Sequence, residues 1–195
     1  MPAKGVAMKV LGVSGSPRVG GNTDAAVHHV LGALAQQGIE TEFISLGQHP
    51  VKSCAACYAC VEAKRCVLDD PNFDLLYSKF VESDGIILGS PVWFGSATPL
   101  MMSLIDRVGS VARRGENKLK HKVGASIAVA RRAGKNFTFA QLNYFFLISE
   151  MIVPGASYWN VVSACQKGEF DRDAEGVKIL DNLAENFGWL LKKIA

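Results

Sequence analysis

An open α/β fold, a doubly wound parallel sheet with helices on both faces, is the class this sequence predicts, and three observations predict it. Short, nearly continuous apolar runs rich in β-branched residues recur along the chain, the pattern of strands buried on both faces. Helix-period segments separate them, so strand and helix alternate as in βαβ units. With 195 residues, 49% of them hydrophobic and 20% charged, the chain is long enough for one large two-sided core and needs no second domain.

The strand runs are Val6 to Val13, Thr41 to Leu46, Gly85 to Gly89, Val123 to Ala130 and Ile152 to Trp159. The helical segments are Asp24 to Gln37, Asn72 to Val81, Pro99 to Arg113, Asn136 to Glu150 and Ala174 to Lys193. Right-handed crossovers between such runs make a doubly wound sheet the simplest topology. The first helix is signalled by Asn22, Thr23 and Asp24, all good capping types. The last carries Val177, Leu180, Leu183, Ala184, Phe187, Leu190 and Leu191 on one side, which reads as core. Residues 1–195 are expected to form a single domain with a cysteine-rich loop at 53–70.

A net charge of +3, with Lys and Arg spread along the chain, argues against nucleic acid as a partner. No apolar run reaches the roughly 18 to 20 residues of a membrane span, and the N-terminus lacks a secretory layout, so the expectation is a cytoplasmic protein. A reducing compartment makes clustered cysteines metal ligands or redox groups rather than disulfides.

After the first strand comes Ser14-Gly15-Ser16-Pro17-Arg18-Val19-Gly20-Gly21-Asn22-Thr23, leading directly into a helix. A helix N-terminus with unpaired N–H groups attracts anions. The hydroxyls of Ser14, Ser16 and Thr23, the amide of Asn22 and the guanidinium of Arg18 could complete a phosphate cage. No Gly-Lys-Ser/Thr closes the loop and no Gly-x-Gly-x-x-Gly is present, which disfavours ATP and Rossmann-type NAD binding. A polar βα turn with no ligand is the alternative.

The Ser-Gly-Ser-Pro-Arg…Gly-Asn-Thr loop resembles the FMN-phosphate loop of the flavodoxin-like NADPH-dependent FMN reductases and multimeric flavodoxins. A second stretch, Gly89-Ser90-Pro91-Val92-Trp93-Phe94-Gly95-Ser96, is similar to the family's loop along the flavin, with Trp93 where Tyr is more usual. Amides and flat side chains suit a flavin edge. A third loop, Ala130 to Asn136, resembles the family's ring-side loop only in Gly134 and its arginines. The resemblance implies a five-stranded sheet of order 2-1-3-4-5. It also implies an FMN site built from Ser14, Ser16, Arg18, Asn22, Thr23, Pro91, Val92, Trp93, Phe94, Gly95, Arg131 and Gly134.

Four of the five cysteines form Cys54-x-x-Cys57-x-x-Cys60-x₅-Cys66. Structural zinc sites usually use two Cys pairs separated by a longer spacer, whereas this close spacing suits an iron–sulfur cube. Free thiols or zinc remain the alternatives. Within a chain of this kind the pattern resembles the iron–sulfur flavoproteins, which implies a [4Fe-4S] cluster on Cys54, Cys57, Cys60 and Cys66 next to FMN. The resemblance further implies a homodimer or homotetramer that relays electrons from a donor such as ferredoxin or NAD(P)H to a small-molecule acceptor. A cluster-free NAD(P)H-dependent FMN or quinone reductase and a non-enzymatic, zinc-stabilised FMN-binding module are the competing readings. No nucleophile–base pair points to a hydrolase: His28, His29, His49 and His121 read as surface groups, and Cys165 as a small buried apolar residue.

Overall fold

The computed structural model describes residues 8–194. Five parallel strands, β1 (Lys9–Ser14), β2 (Glu40–Ser45), β3 (Gly85–Pro91), β4 (Val123–Ala130) and β5 (Val161–Ser163), form one sheet of order β2-β1-β3-β4-β5. It is a flavodoxin-like sheet, in the order the resemblance implies. Six α-helices accompany the strands: α1 (Asn22–Gln36), α2 (Cys60–Ala63), α3 (Pro71–Glu82), α4 (Pro99–Arg113), α5 (Lys135–Ile148) and α6 (Ala174–Ile194).

Period-two alternation in the buried strands splits the core into two layers. Leu11 and Val13 of β1 and Ile86 and Leu88 of β3 face α3, α4 and α5, where Phe73, Phe80, Leu104, Val108 and Phe146 meet them. Val10 and Ile87 point the other way, onto Val27, Val30, Leu34, Leu183 and Phe187 of α1 and α6. Gly89 lets α1 settle on the sheet, since a Cβ there would lie 2.4 Å from the Val27 side chain. No described helix is long and apolar enough to cross a membrane.

Two expectations are corrected. The last strand does not span 152–159. Ile152 makes one parallel bridge to Val123, then Pro154 and Gly155 interrupt the run, and the chain rejoins the sheet only where Val161 pairs with Ala128. A proline cannot donate to a ladder, which is why an apolar stretch of the right composition fails as a strand. The first helix starts two residues earlier than expected, with Gly21 as its N-cap and no side-chain cap, so Asn22, Thr23 and Asp24 are helical residues. The start of the first predicted strand, at Val6, lies outside the described residues.

Helices α3 and α4 begin with the same device, a capping side chain followed by proline at the first helical position: Asp70-Pro71 and Thr98-Pro99. Asp70 is also half of a buried ion pair with Arg107 of α4, whose side chain is 1% exposed. Burial works to raise the Asp70 carboxyl, but the Lys52 N–H, the Arg107 guanidinium and the Phe73 N–H outweigh it and hold it below the ordinary value. The stability it contributes is therefore complete above pH 3.8, the ordinary Asp value, and is lost as pH falls through the lower folded value. Asp70→Asn should cost about 3 kcal/mol at pH 7, because it leaves a buried cation unpaired. In urea unfolding, the gap to wild type should narrow as pH is lowered below 3.8.

Candidate functional site

The carboxyl ends of the strands open into a crevice of about 470 Å³. One wall is the β1–α1 loop. The first helical backbone bond joins the Ala25 N–H to the Gly21 carbonyl, and among the described residues the N–H groups of Asn22, Thr23 and Asp24 have no acceptor. These are the open donors that suit an anion. Ser16 braces the loop, accepting from the Arg18 N–H at 3.0 Å, while the Asp24 carboxylate accepts the Gly20 N–H at 2.7 Å from behind. Ser16, Arg18 and Thr23 line the crevice.

The second wall follows β3, where Pro91, Val92 and Trp93 line the space. Trp93 and Ser96 exchange backbone hydrogen bonds at 2.9 and 3.1 Å to close a tight turn with Phe94 and Gly95 at positive φ. Gln141 of α5 steadies it, accepting from the Ala97 N–H at 2.8 Å and the Ser96 hydroxyl at 3.1 Å. Gly134, at φ 87°, lies against this turn, and a Cβ there would approach Val92 within 2.8 Å.

Thr98 joins the two walls. It is buried, caps α4 and donates through its hydroxyl to the Gly15 carbonyl at 2.6 Å, while its N–H donates to Ser90 Oγ at 3.1 Å. The third wall, Ala164 to Lys167, follows β5. Glu169 anchors it by accepting the Cys165 and Gln166 N–H groups, each at 2.8 Å, and those bonds hold its carboxyl below the ordinary value. Arg18, Arg131 and Lys167 line the crevice with no carboxylate among its lining residues, a balance suited to a phosphate monoester.

Of the twelve residues expected at this site, eight line the crevice: Ser16, Arg18, Asn22, Thr23, Pro91, Val92, Trp93 and Arg131. Ser14 does not. Its hydroxyl is fully buried and donates to Asp24 at 2.5 Å. Asn22 reaches the crevice, but its side chain is occupied as a clamp: Oδ1 accepts from the N–H groups of Gly168, Glu169 and Phe170, and Nδ2 donates to the Gln166 carbonyl at 2.7 Å. Gly95 and Gly134 support the wall without lining it, and Phe94 points fully into solvent. Cys165, read as buried, is partly exposed and lines the crevice. No motif marks residues 164–167 as a wall, and an expected last strand at 152–159 ends before them, whereas β5 at Val161–Ser163 leads into them.

The four clustered cysteines line a second cavity of about 110 Å³. Helix α4 and its C-cap Arg114 hold their loop through residues 103, 107, 110 and 114, which share one face by their four-three-four spacing, Ser110 through its backbone carbonyl. Ser103 bonds Ser53 at 2.9 Å, Arg107 donates to Cys66 Sγ at 3.2 Å, the Ser110 carbonyl lies 4.0 Å from Cys60 Sγ, and the Arg114 guanidinium covers the Tyr58 ring at 4.7 Å. The spacing of Ser103, Arg107, Ser110 and Arg114 on one face was a signal present in the sequence. No three Cys, His or carboxylate side chains among the described residues stand close enough to hold a metal ion as they are. The donor set, four thiols with two guanidiniums and no carboxylate lining the cavity, nevertheless fits an iron–sulfur cluster better than a hard cation. Arg107 Nε, buried and without an acceptor, is a spare donor on a residue that lines the same cavity.

Comparison with known proteins places the chain among relatives. The profile of the family described as NADPH-dependent FMN reductase matches residues 8–166. An iron-sulfur flavoprotein of Methanocaldococcus jannaschii is 40% identical over 96% of this chain and 99% of its own length. Another, of Methanosarcina thermophila, is 36% identical over 76% of this chain and 78% of its own. The crystal structure of a flavodoxin, WrbA-like protein from Agrobacterium tumefaciens superposes with a TM-score of 0.67 over 97% of this chain and 100% of that one at 10% identity, which is likeness of fold. Thr98→Val, which leaves the Gly15 carbonyl unpaired, should weaken FMN binding about tenfold in a flavin fluorescence titration, or about 1.4 kcal/mol. Unchanged affinity would mean that the two loops are positioned independently.

Proposed function

Because the chain belongs to the NADPH-dependent FMN reductase family and to the iron-sulfur flavoproteins within it, we propose that it relays electrons between a [4Fe-4S] cluster and FMN. It is a flavin-dependent oxidoreductase. FMN takes two electrons as hydride and releases them singly, whereas a four-Cys cluster passes one at a time. The remaining chemistry belongs to the chain, which holds, orients and electrostatically tunes both groups.

In this reading the first-turn N–H groups of α1, the hydroxyls of Ser16 and Thr23 and the Arg18 guanidinium hold the phosphate. Pro91, Val92 and Trp93 lie along the ring, with Arg131 also lining the crevice and Gly95 and Gly134 shaping the turn. Asn22 holds the third wall in place rather than the phosphate, and Ser14 fixes Asp24 behind the loop. Cys54, Cys57, Cys60 and Cys66 hold the cluster, and the observation that carries this is their meeting around one cavity faced by Arg107 and Arg114.

The spacing of the two sites supports an assembly of copies. Thr98 adjoins the flavin crevice and Ser110 the cysteine cavity, and the twelve residue steps from one to the other span about 18 Å along α4. A second copy that brings its own cysteine cavity to this crevice would shorten that path, which favours a homodimer or homotetramer. Exposed Phe94, Phe137, Tyr144, Leu147 and Ile148 offer apolar area for such an interface. The donor in this reading is ferredoxin or NAD(P)H, and the acceptor a small molecule.

Anaerobic purification, a visible spectrum and an iron and sulfide assay test the proposal. About four irons and four sulfides per chain, alongside flavin absorption, are expected. Flavin alone would favour a cluster-free reductase, and zinc without flavin would overturn the reading. Cys57→Ser should lose iron while keeping FMN, and full iron retention would remove that ligand. Arg18→Ala should weaken FMN binding about tenfold in fluorescence titration without lowering the melting temperature of the ligand-free protein.

A further inference from the structure

Arg107 is the one arginine of the described chain buried to 1% exposure, and its surroundings exceed what a fold-stabilising ion pair needs. Its Nη1 donates to Asp70 and to the Lys52 carbonyl at 3.1 Å, which ties the start of the cysteine loop to the cap of α3. The guanidinium stacks 3.8 Å from the centre of the Phe73 ring, so its plane is fixed. The other arm, Nη2, donates to Cys66 Sγ at 3.2 Å, and Nε has no acceptor. Neither feature serves the ion pair.

We infer that Arg107 is a positioning residue that holds the Cys66 sulfur and raises the reduction potential of the cluster. The inference rests on the cluster reading above and assigns a role to a residue outside the ligand set. One-electron reduction adds negative charge to a cluster and its thiolates, and a fixed cation bonded to a ligating sulfur favours the more negative state. Burial strengthens that bond, because little water screens it. A lysine could not substitute: one compact ammonium cannot serve Asp70 and Cys66 together as the planar fork does.

Two full-length variants test this after anaerobic reconstitution with iron and sulfide. Arg107→Lys keeps the charge for Asp70 but gives up the bond to Cys66. The double variant Arg107→Gln with Asp70→Asn removes the pair together and leaves no orphaned carboxylate. Redox titration followed by electron paramagnetic resonance should show the equilibrium constant for cluster reduction falling about tenfold in each, a shift of about 59 mV to lower potential for one electron. The FMN potential in the same samples should stay put, and iron should be lost to a chelator several-fold faster. Should the double variant fail to fold, Arg107→Lys decides alone. A cluster potential and an iron-loss rate equal to wild type in the folded variants would overturn the inference while leaving the cluster reading intact. Wild type that takes up no iron would overturn the cluster reading, and this inference with it.

Discussion

Between β1 and β3 the strand order turns back on itself. The connection from β1 runs through α1 to β2 on one side, and the chain then returns past β1 through α3 to reach β3 on the other. Helices therefore leave the two central strands toward opposite faces, and the loops at their carboxyl ends diverge to leave a cleft. Every wall of the crevice depends on that divergence. Two hydrogen bonds on Gly15, its N–H to the Gly89 carbonyl and its carbonyl from the Thr98 hydroxyl, bridge the cleft floor between the phosphate-side and ring-side loops.

The absence of a side-chain cap on α1 is the counterpart of this architecture. A Ser, Thr or Asp at the N-cap would satisfy one of the first-turn donors internally. Here Gly21 occupies that position, Asn22 bonds the third wall instead, and Asp24 turns back to Ser14 and Gly20. The donors stay open toward the crevice while the side chains of Asn22 and Asp24, which could compete for them, are taken up elsewhere. Helix α4, whose own N–H groups are not needed for a ligand, is capped in the ordinary way by Thr98.

The cysteine loop obeys a different constraint. Cys54 and Cys57 are exposed and the loop's own helix has no fully buried residue; only Cys60 and Cys66 pack, partly buried, against the core. Polar attachment to one face of α4 and the buried Asp70–Arg107 pair hold the loop, with positive φ at Ala56, Tyr58 and Lys64 marking its tight turns. A segment held more by charge and hydrogen bonds than by a core can adjust its sulfurs while keeping its anchor.

Much was legible in the residues themselves. Continuous apolar runs specified a parallel sheet, and β4 and α4 matched their predicted limits, because strand burial and helical period are local properties written in sequence order; the glycine- and hydroxyl-rich junction after β1 was visible in the same way as a turn into a helix end, which the structure leaves without a side-chain cap. The compact cysteine spacing was equally visible. Which side chains face the crevice was not. Ser14 and Asn22 have the right chemistry for a ligand, yet Asp24, ten residues on from Ser14, and residues 166–170, 144 to 148 on from Asn22, take up their side chains, and residue type alone does not show which partner wins. Nothing in its residue type or charge sets Arg107 apart from the other arginines of the chain. Only the packed structure, by burying it between Asp70, Phe73 and Cys66, made it the charge on which the cysteine loop turns.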